Sequence, residues 1–120
     1  MTNKLHLLEG EGKTPKLRTF ELDEVLYLRT DMGYVDIVTK QSTDVTATPL
    51  KGLEDLLIEN GFIRIHRNCL INKKHIVKQH KTSEDGKVTM TIEVTNGDEV
   101  DVSRRHHAEM NRYFKSAKTS

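Results

Sequence analysis

The sequence has no tryptophan and a single cysteine, and aromatic residues make up 5% of its 120 positions. A lone thiol, Cys69, excludes an internal disulfide framework and fits a reducing compartment. Apolar residues account for 35% of the chain, and their uninterrupted runs reach only a few residues, as in Leu56-Leu57-Ile58. Nothing here is long enough to span a bilayer as a helix, and the N-terminal stretch MTNKLHLLEGEG carries no signal-peptide core. Also missing are a glycine-rich phosphate loop and a Gly-x-Ser-x-Gly turn, and the acidic residues are scattered without the close pairing that acid–base hydrolysis needs, so catalysis finds no support. Neither sign of charge dominates, because 19 Lys and Arg stand against 18 Asp and Glu. What remains is one domain without a membrane segment, expected to be cytoplasmic, not an enzyme, and in need of no cofactor.

The near-zero charge is an average over blocks. Residues 1–60 sum to −4, residues 61–81 to +6, residues 82–102 to −5 and residues 103–120 to +4. Five of the six histidines lie in or near the two basic blocks. On charge alone, such blocks are equally those of a phosphate-binding surface and of solvated faces that balance acidic ones.

Val, Ile and Thr contribute 29 residues, a composition that favours strands. Residues 1–15 fit either a first edge strand or a linker extension. Strands are expected at Leu17–Phe20, Val25–Thr30, Tyr34–Thr39 and Thr43–Thr48, with a hairpin at Asp31-Met32-Gly33. From there the apolar period lengthens: Leu50, Leu53, Leu56 and Leu57 share one helical face. Thr48 is expected as its N-cap, Pro49 as its first residue and Asn60-Gly61 as its stop.

Alternation returns at Phe62–Arg67, with Phe62, Arg64 and His66 on one side and Ile63 and Ile65 on the other. Cys69–Ile71 and Ile76–His80 read as strands joined by an Asn72–His75 turn, and Thr82–Gly86 as a loop. Val88, Met90, Ile92 and Val94 mark the clearest half-buried strand, turned by Asn96-Gly97 into Glu99–Val102. Ser103 can cap a last helix, with Met110 and either Tyr113 or Phe114 inward. The expected class is mainly β, with one internal and one C-terminal helix.

Two stretches hold the chemistry. Arg64, His66, Arg67, Asn68, Asn72, Lys73 and Lys74 fall within eleven residues, and Ser103-Arg104-Arg105-His106-His107 follows a strand. Arginine is the side chain best fitted to guanine edges, asparagine to adenine edges, and several cations on one face suit a phosphate backbone. Neither stretch is amphipathic like a recognition helix, so any groove contact falls to loops. His66-x-x-Cys69 with His75 and His80 matches no recognised zinc spacing, and Cys69 reads as a small core residue.

At these residues the chain resembles LytTR-type DNA-binding domains. Phe62-Ile-Arg-Ile-His-Arg-Asn-Cys-Leu-Ile-Asn72 is similar to the family's central signature. Val25-Leu-Tyr-Leu, Gly33-Tyr34-Val35, Leu50–Leu56, Asn96-Gly97 and Val102-Ser-Arg-Arg105 follow its order and spacing, over roughly residues 16–115. The resemblance implies an elongated fold of about ten short strands in small antiparallel sheets. Its loops would enter successive major grooves of promoter DNA, commonly at direct repeats and with pairing of two copies on the DNA. Carried over by position, Met32, Gly33, Tyr34, Arg67 and Arg105 are base-reading candidates. Arg64, His66, Asn68, Lys73, Lys74, Ser103 and Arg104 are phosphate-contacting or supporting candidates. The domain is then expected over residues 16–116, with 117–120 as a tail. Family members commonly carry a receiver or a membrane segment, so this chain is expected to be a free-standing regulator or an excised output domain.

Each candidate has a plainer reading. Arg64 could pair with Glu59 or with an acid of residues 98–101. His66 could brace its loop, Tyr34 could pack, and Asn72 suits a turn. A β-rich module that binds an acidic protein partner is the alternative to a DNA reader.

Overall fold

The computed structural model describes residues 3–9 and 16–119, and its ten strands and two α-helices form three antiparallel sheets. Strands β1 (Lys4–Glu9) and β2 (Lys16–Glu21) make a two-stranded sheet, so part of the N-terminal segment is strand, while residues 10–15 lie outside the described residues. A 3-10 turn at Leu22–Glu24 leads to β3 (Val25–Asp31), β4 (Tyr34–Thr39) and β5 (Thr43–Thr46). Helix α1 (Leu50–Glu59) comes next, then β6 (Phe62–His66) and β7 (Cys69–Asn72). The central sheet has the order β5-β4-β3-β7-β6. Strands β8 (Ile76–Glu84), β9 (Lys87–Val94) and β10 (Glu99–Asp101) form the third sheet, and α2 (His107–Thr119) closes the chain.

The central sheet has a core on each face. On one side Leu5 and Leu7 of β1 and Leu50, Leu53 and Leu57 of α1 pack against Val25, Leu28, Phe62 and Leu70. On the other, Leu26, Tyr27, Ile65, Cys69 and Ile71 meet Met90, Ile92 and Val94 of β9 and Met110 of α2. Strict alternation would send Val25 and Tyr27 to the same side. The register of β3 against β4 shifts between these two residues, and the bulge delivers Leu26 and Tyr27 together to the second core. Stacked this way, the molecule measures 54 × 33 × 25 Å. Its radius of gyration of 15.4 Å exceeds the about 14 Å of a compact chain of this length, in keeping with an elongated fold.

Several expected details are corrected. Pro49, not Thr48, occupies the N-cap of α1 with extended backbone (ψ 142°). Thr48 lies one residue outside, its N–H donating to Thr46 Oγ1 at 3.1 Å. The Thr43–Thr48 run is strand only to Thr46. Thr82–Gly86 is no loop: β8 continues to Glu84, and Asp85 (φ 51°) and Gly86 (φ 79°) turn the chain straight into β9. Two consecutive positive φ values are what a tight hairpin of this hand requires. Val88 is exposed, because β9 has no core beneath it before Met90. Both Tyr113 and Phe114 pack on the second core, edge to face with centroids 5.3 Å apart.

Candidate nucleic-acid interface

Three connections meet at one end of the central sheet. The β3–β4 hairpin pairs Asp31 with Tyr34, leaving Met32 (φ 49°) and Gly33 (φ 85°) as its two-residue turn. Glycine takes such a φ without strain, while Met32 accepts it at a cost and projects its side chain almost fully into solvent, 92% exposed. Tyr34 is 55% exposed, so it is not a packing residue.

Beside this turn lies the β6–β7 connection, where His66 pairs with Cys69 around Arg67 and Asn68. The Thr30 N–H donates to the Asn68 carbonyl at 2.8 Å, tying the two turns together. His66 braces its own loop by accepting the Asn68 N–H at Nδ1, 3.1 Å away. Arg67 is exposed.

The third connection runs along the free edge of β6. The Ser103 N–H donates to the Ile65 carbonyl at 2.9 Å, and Val102 to the Met90 carbonyl at 2.9 Å. The 3-10 turn Arg104–His106 follows, with Arg104 and Arg105 exposed. Ser103 stands at the N-cap of this short turn, not of α2, and its hydroxyl meets the His106 ring at Nδ1, 2.6 Å away, rather than a backbone N–H. Burial holds His106 below the usual imidazole range; Glu109 opposes this, and Arg105, Arg64 and His66 add to it. His107 Nε2 donates to the Val102 carbonyl at 3.1 Å. Among the described residues, Arg67, Arg104 and Arg105 have no ion-pair partner, so their charge is available.

Arg64 points to the opposite face from Ile63 and Ile65, under α1. Its Nε donates to Glu54 Oε1 at 2.8 Å, and its Nη1 to the carbonyls of His66 (3.2 Å) and Arg67 (2.7 Å). Its partner is therefore neither Glu59 nor an acid of residues 98–101. The hydrogen bond from Arg64, ahead of the burial that opposes it, holds the Glu54 carboxyl below its ordinary range. Glu54 was not among the candidates, although Phe62 and Arg64 share a face and Phe62 packs under α1. That parity directs Arg64 to the helix flank next to Leu53, where Glu54 stands. A cleft of about 390 Å³ separates α1 from the first two turns, with Gly33, Lys51, Glu54, Arg64 and Arg67 on its walls.

Lys73 and Lys74 are not brought to this end. Strand β7 crosses the sheet between Asn68 and Asn72, which pairs with Phe62 at the far side. Five residues of strand put Lys73 roughly 16 Å from Asn68. Lys74 forms an exposed ion pair with Asp23, Nζ to Oδ1 at 2.8 Å. Asn72 is buried and belongs to the fold: Nδ2 donates to the carbonyls of Leu22 (3.2 Å) and Val25 (3.0 Å), and Oδ1 accepts the Lys74 N–H. Cys69 is 2% exposed, and burial pushes its thiol up to about 12, the behaviour of a core residue. His75 meets the Asp23 carbonyl and His80 meets Glu93, and the described residues contain no cluster of three metal-ligating groups. Among the described residues, no helix is long and apolar enough to cross a membrane.

Known proteins resemble this chain in sequence and in fold. The chain is 36% identical over 91 residues to the positive alginate biosynthesis regulatory protein of Pseudomonas aeruginosa, which covers 76% of this chain and 36% of that protein. It is 37% identical over 83 residues to the sensory transduction protein LytR of Staphylococcus haemolyticus, covering 68% of this chain and 31% of that one. The chain thus spans about a third of the length of these relatives. Its fold matches a Bacillus cereus structure described as the LytTr DNA-binding domain of a methyl-accepting/DNA response regulator, with a TM-score of 0.71 and 22% identity. That match covers 93% of this chain and 96% of the other. The LytTr DNA-binding domain model matches residues 15–115, a span that takes in the whole central sheet and all three turns. The chain belongs to the LytTR family of DNA-binding domains.

Proposed function

We propose that this chain is the sequence-specific, double-stranded DNA-binding domain of a bacterial transcriptional regulator, and that it reads base edges through two inter-strand turns and the connection from β10 to α2. One observation carries the reading: Met32–Tyr34, Arg67-Asn68 and Ser103–Arg105 share one end of the molecule, and their arginines are unpaired. Arg67 and Arg105 are the base readers, each able to present a planar fork to a guanine edge. Met32 and Tyr34 supply apolar and hydroxyl contacts beside them. Arg104 and Ser103 meet phosphate, His66 and Asn68 support the second turn, and Lys73 and Lys74 are left to the flanking backbone.

The domain works without catalysis, in the cytoplasm where promoter DNA lies. Two copies occupy direct repeats and pair only there, since an elongated body that offers its turns at one end can be repeated along a duplex. Repeats on one face of the helix recur about every 10.5 bp.

Selection from a random duplex library tests the reading and returns the repeat spacing. An enriched motif, bound with a log–log salt slope near −5 for about six neutralised phosphates, is the expected result. No enriched duplex and a flat salt dependence, with capture of an acidic protein instead, would favour the protein-interaction module.

A further inference from the structure

The guanidinium of Arg64 bridges helix α1 to the β6–β7 turn. On one side, Nε is held by Glu54 of α1 at 2.8 Å; on the other, Nη1 donates to the carbonyls of both His66 and Arg67. These two carbonyls sit where the regular ladder fails, since the pairing of β6 with β7 shifts between Arg64 and His66. A bulge leaves the backbone around it without its usual ladder partners. Arg64 supplies a side-chain donor to the two carbonyls that follow this register shift. Both side chains of the pair are mostly covered, 22% exposed for Arg64 and 28% for Glu54. The covering restricts the guanidinium to the plane in which Nε faces the helix and Nη1 faces the turn.

We infer that Glu54 and Arg64 are positioning residues that hold the Arg67-Asn68 turn in the pose from which Arg67 reads DNA, so that α1 sets its base preference. The role rests on the reading of this turn as a base-contacting one. It reassigns Arg64 from a phosphate contact to a group that acts through its neighbour. A bidentate arginine contact tolerates displacements of about half an ångström, so loss of either anchor on the turn degrades discrimination before it degrades attraction to phosphate. The hydrogen bond from Arg64 holds the Glu54 carboxyl below its ordinary range, and the carboxylate aims the fork. Lysine at position 64 could reach one acceptor but not span the carboxylate and two carbonyls, because it lacks the planar fork.

The test compares E54Q, R64K and the charge-swapped pair E54R/R64E with R67A. The probes are the duplex recovered by selection, its single-base variants and a random duplex, and thermal unfolding is followed in parallel. E54Q and R64K should lose about tenfold discrimination at the base pairs that R67A affects, while affinity for the random duplex stays within about twofold. The swapped pair restores opposite charges but leaves a carboxylate where the carbonyls need a donor. It should be no more stable than the single variants and should not regain discrimination. Recovery of discrimination in the swapped pair would reduce Glu54–Arg64 to an ordinary ion pair and overturn the role. Equal weakening of every duplex by R64K would return Arg64 to phosphate contact and overturn it too. If R67A changes the base profile and the Glu54 and Arg64 variants do not, the positioning role alone fails. If R67A leaves the profile unchanged, the assignment of this turn as a reader fails first.

Discussion

The Tyr27 hydroxyl donates to Asp98 Oδ2 at 2.9 Å, joining the middle of the central sheet to the β9–β10 turn 71 residues later. Asp98 is itself held in that turn, since Asn96 Nδ2 donates to the same oxygen at 3.0 Å and Asn96 Oδ1 accepts the Asp98 N–H. The contact therefore fixes the start of β10, the strand that delivers Ser103, Arg104 and Arg105 to the edge of β6. Removing it in Tyr27→Phe should cost about 1–2 kcal/mol in urea unfolding, the worth of a hydrogen bond to a charged acceptor that keeps another donor.

The same pair sets an alkaline limit. Burial first, and then the Asp98 carboxylate, push the Tyr27 hydroxyl up to about 12 from 10, so the folded state keeps a proton that the unfolded chain releases. A group with a raised folded pKa loses its stabilising contribution as pH rises, here between about 10 and 12. Cys69, pushed to about 12 from 9, acts in the same direction from a lower starting point. Stability should be insensitive to these two groups below pH 8 and fall steeply above pH 10. Tyr27→Phe should flatten the upper part of that fall, as a series of unfolding midpoints against pH would record.

Asn72 illustrates a residue whose chemistry suits DNA but whose position does not. It is 2% exposed and gives both amide hydrogens to the carbonyls of Leu22 and Val25. Asn72→Ala leaves two buried carbonyls without these donors and should destabilise the domain by about 3 kcal/mol. At a temperature where the variant remains folded, its base preferences should match those of the unaltered protein. A changed preference would place Asn72 among the readers.

The sequence makes the strands legible where a core lies beneath them. Met90, Ile92 and Val94 alternate with polar residues because one face of β9 is buried, and the Asn96-Gly97 and Asp31-Met32-Gly33 turns are marked by Gly97 and Gly33, both at positive φ. The outer half of the β8–β9 hairpin, by contrast, is exposed on both faces. Thr82 and Ser83, paired with Thr89 and Val88, carry no alternation of their own, so this end of β8 reads as loop. The candidate site follows the same logic. Arg67 and Arg105 are legible as exposed cations in a recognised pattern. Lys73 and Lys74 look like neighbours of Arg67 until β7 carries them across the sheet, and Glu54 becomes visible only once α1 is laid over β6. Linear proximity is misleading here because a strand covers 3.3 Å per residue, so a few residues span the width of a small sheet.

His106 predicts opposite responses to mild acid in stability and in binding. Its folded pKa lies below the imidazole value of 6.5, chiefly through burial, so the unfolded chain takes up a proton more readily. Stability is thus fully present above about pH 6.5 and is lost as pH falls toward the folded value. A duplex phosphate close to Arg105 would favour the protonated ring and reverse the balance. Unfolding midpoints should drop between pH 7 and pH 5 while affinity for the selected duplex rises. His106→Gln should flatten both trends together.

The sharpest contrast lies between Arg105 and Lys74, two exposed cations of the basic blocks. Arg105 is unpaired and stands on a turn anchored to β6, whereas Lys74 is engaged by Asp23 at the opposite end of the sheet. Arg105→Ala should weaken binding to the selected duplex by about 1–3 kcal/mol and relax preference at one or two base pairs, with a smaller effect on random duplex. Lys74→Ala should weaken both duplexes alike, by no more than about threefold, and reduce the salt slope by at most about one unit. Equilibrium titrations of both variants at two salt concentrations separate these outcomes. Equal losses on selected and random duplex for Arg105→Ala would remove it from base reading. A change of preference in Lys74→Ala would mean that the DNA path extends across the sheet to the far end of β7.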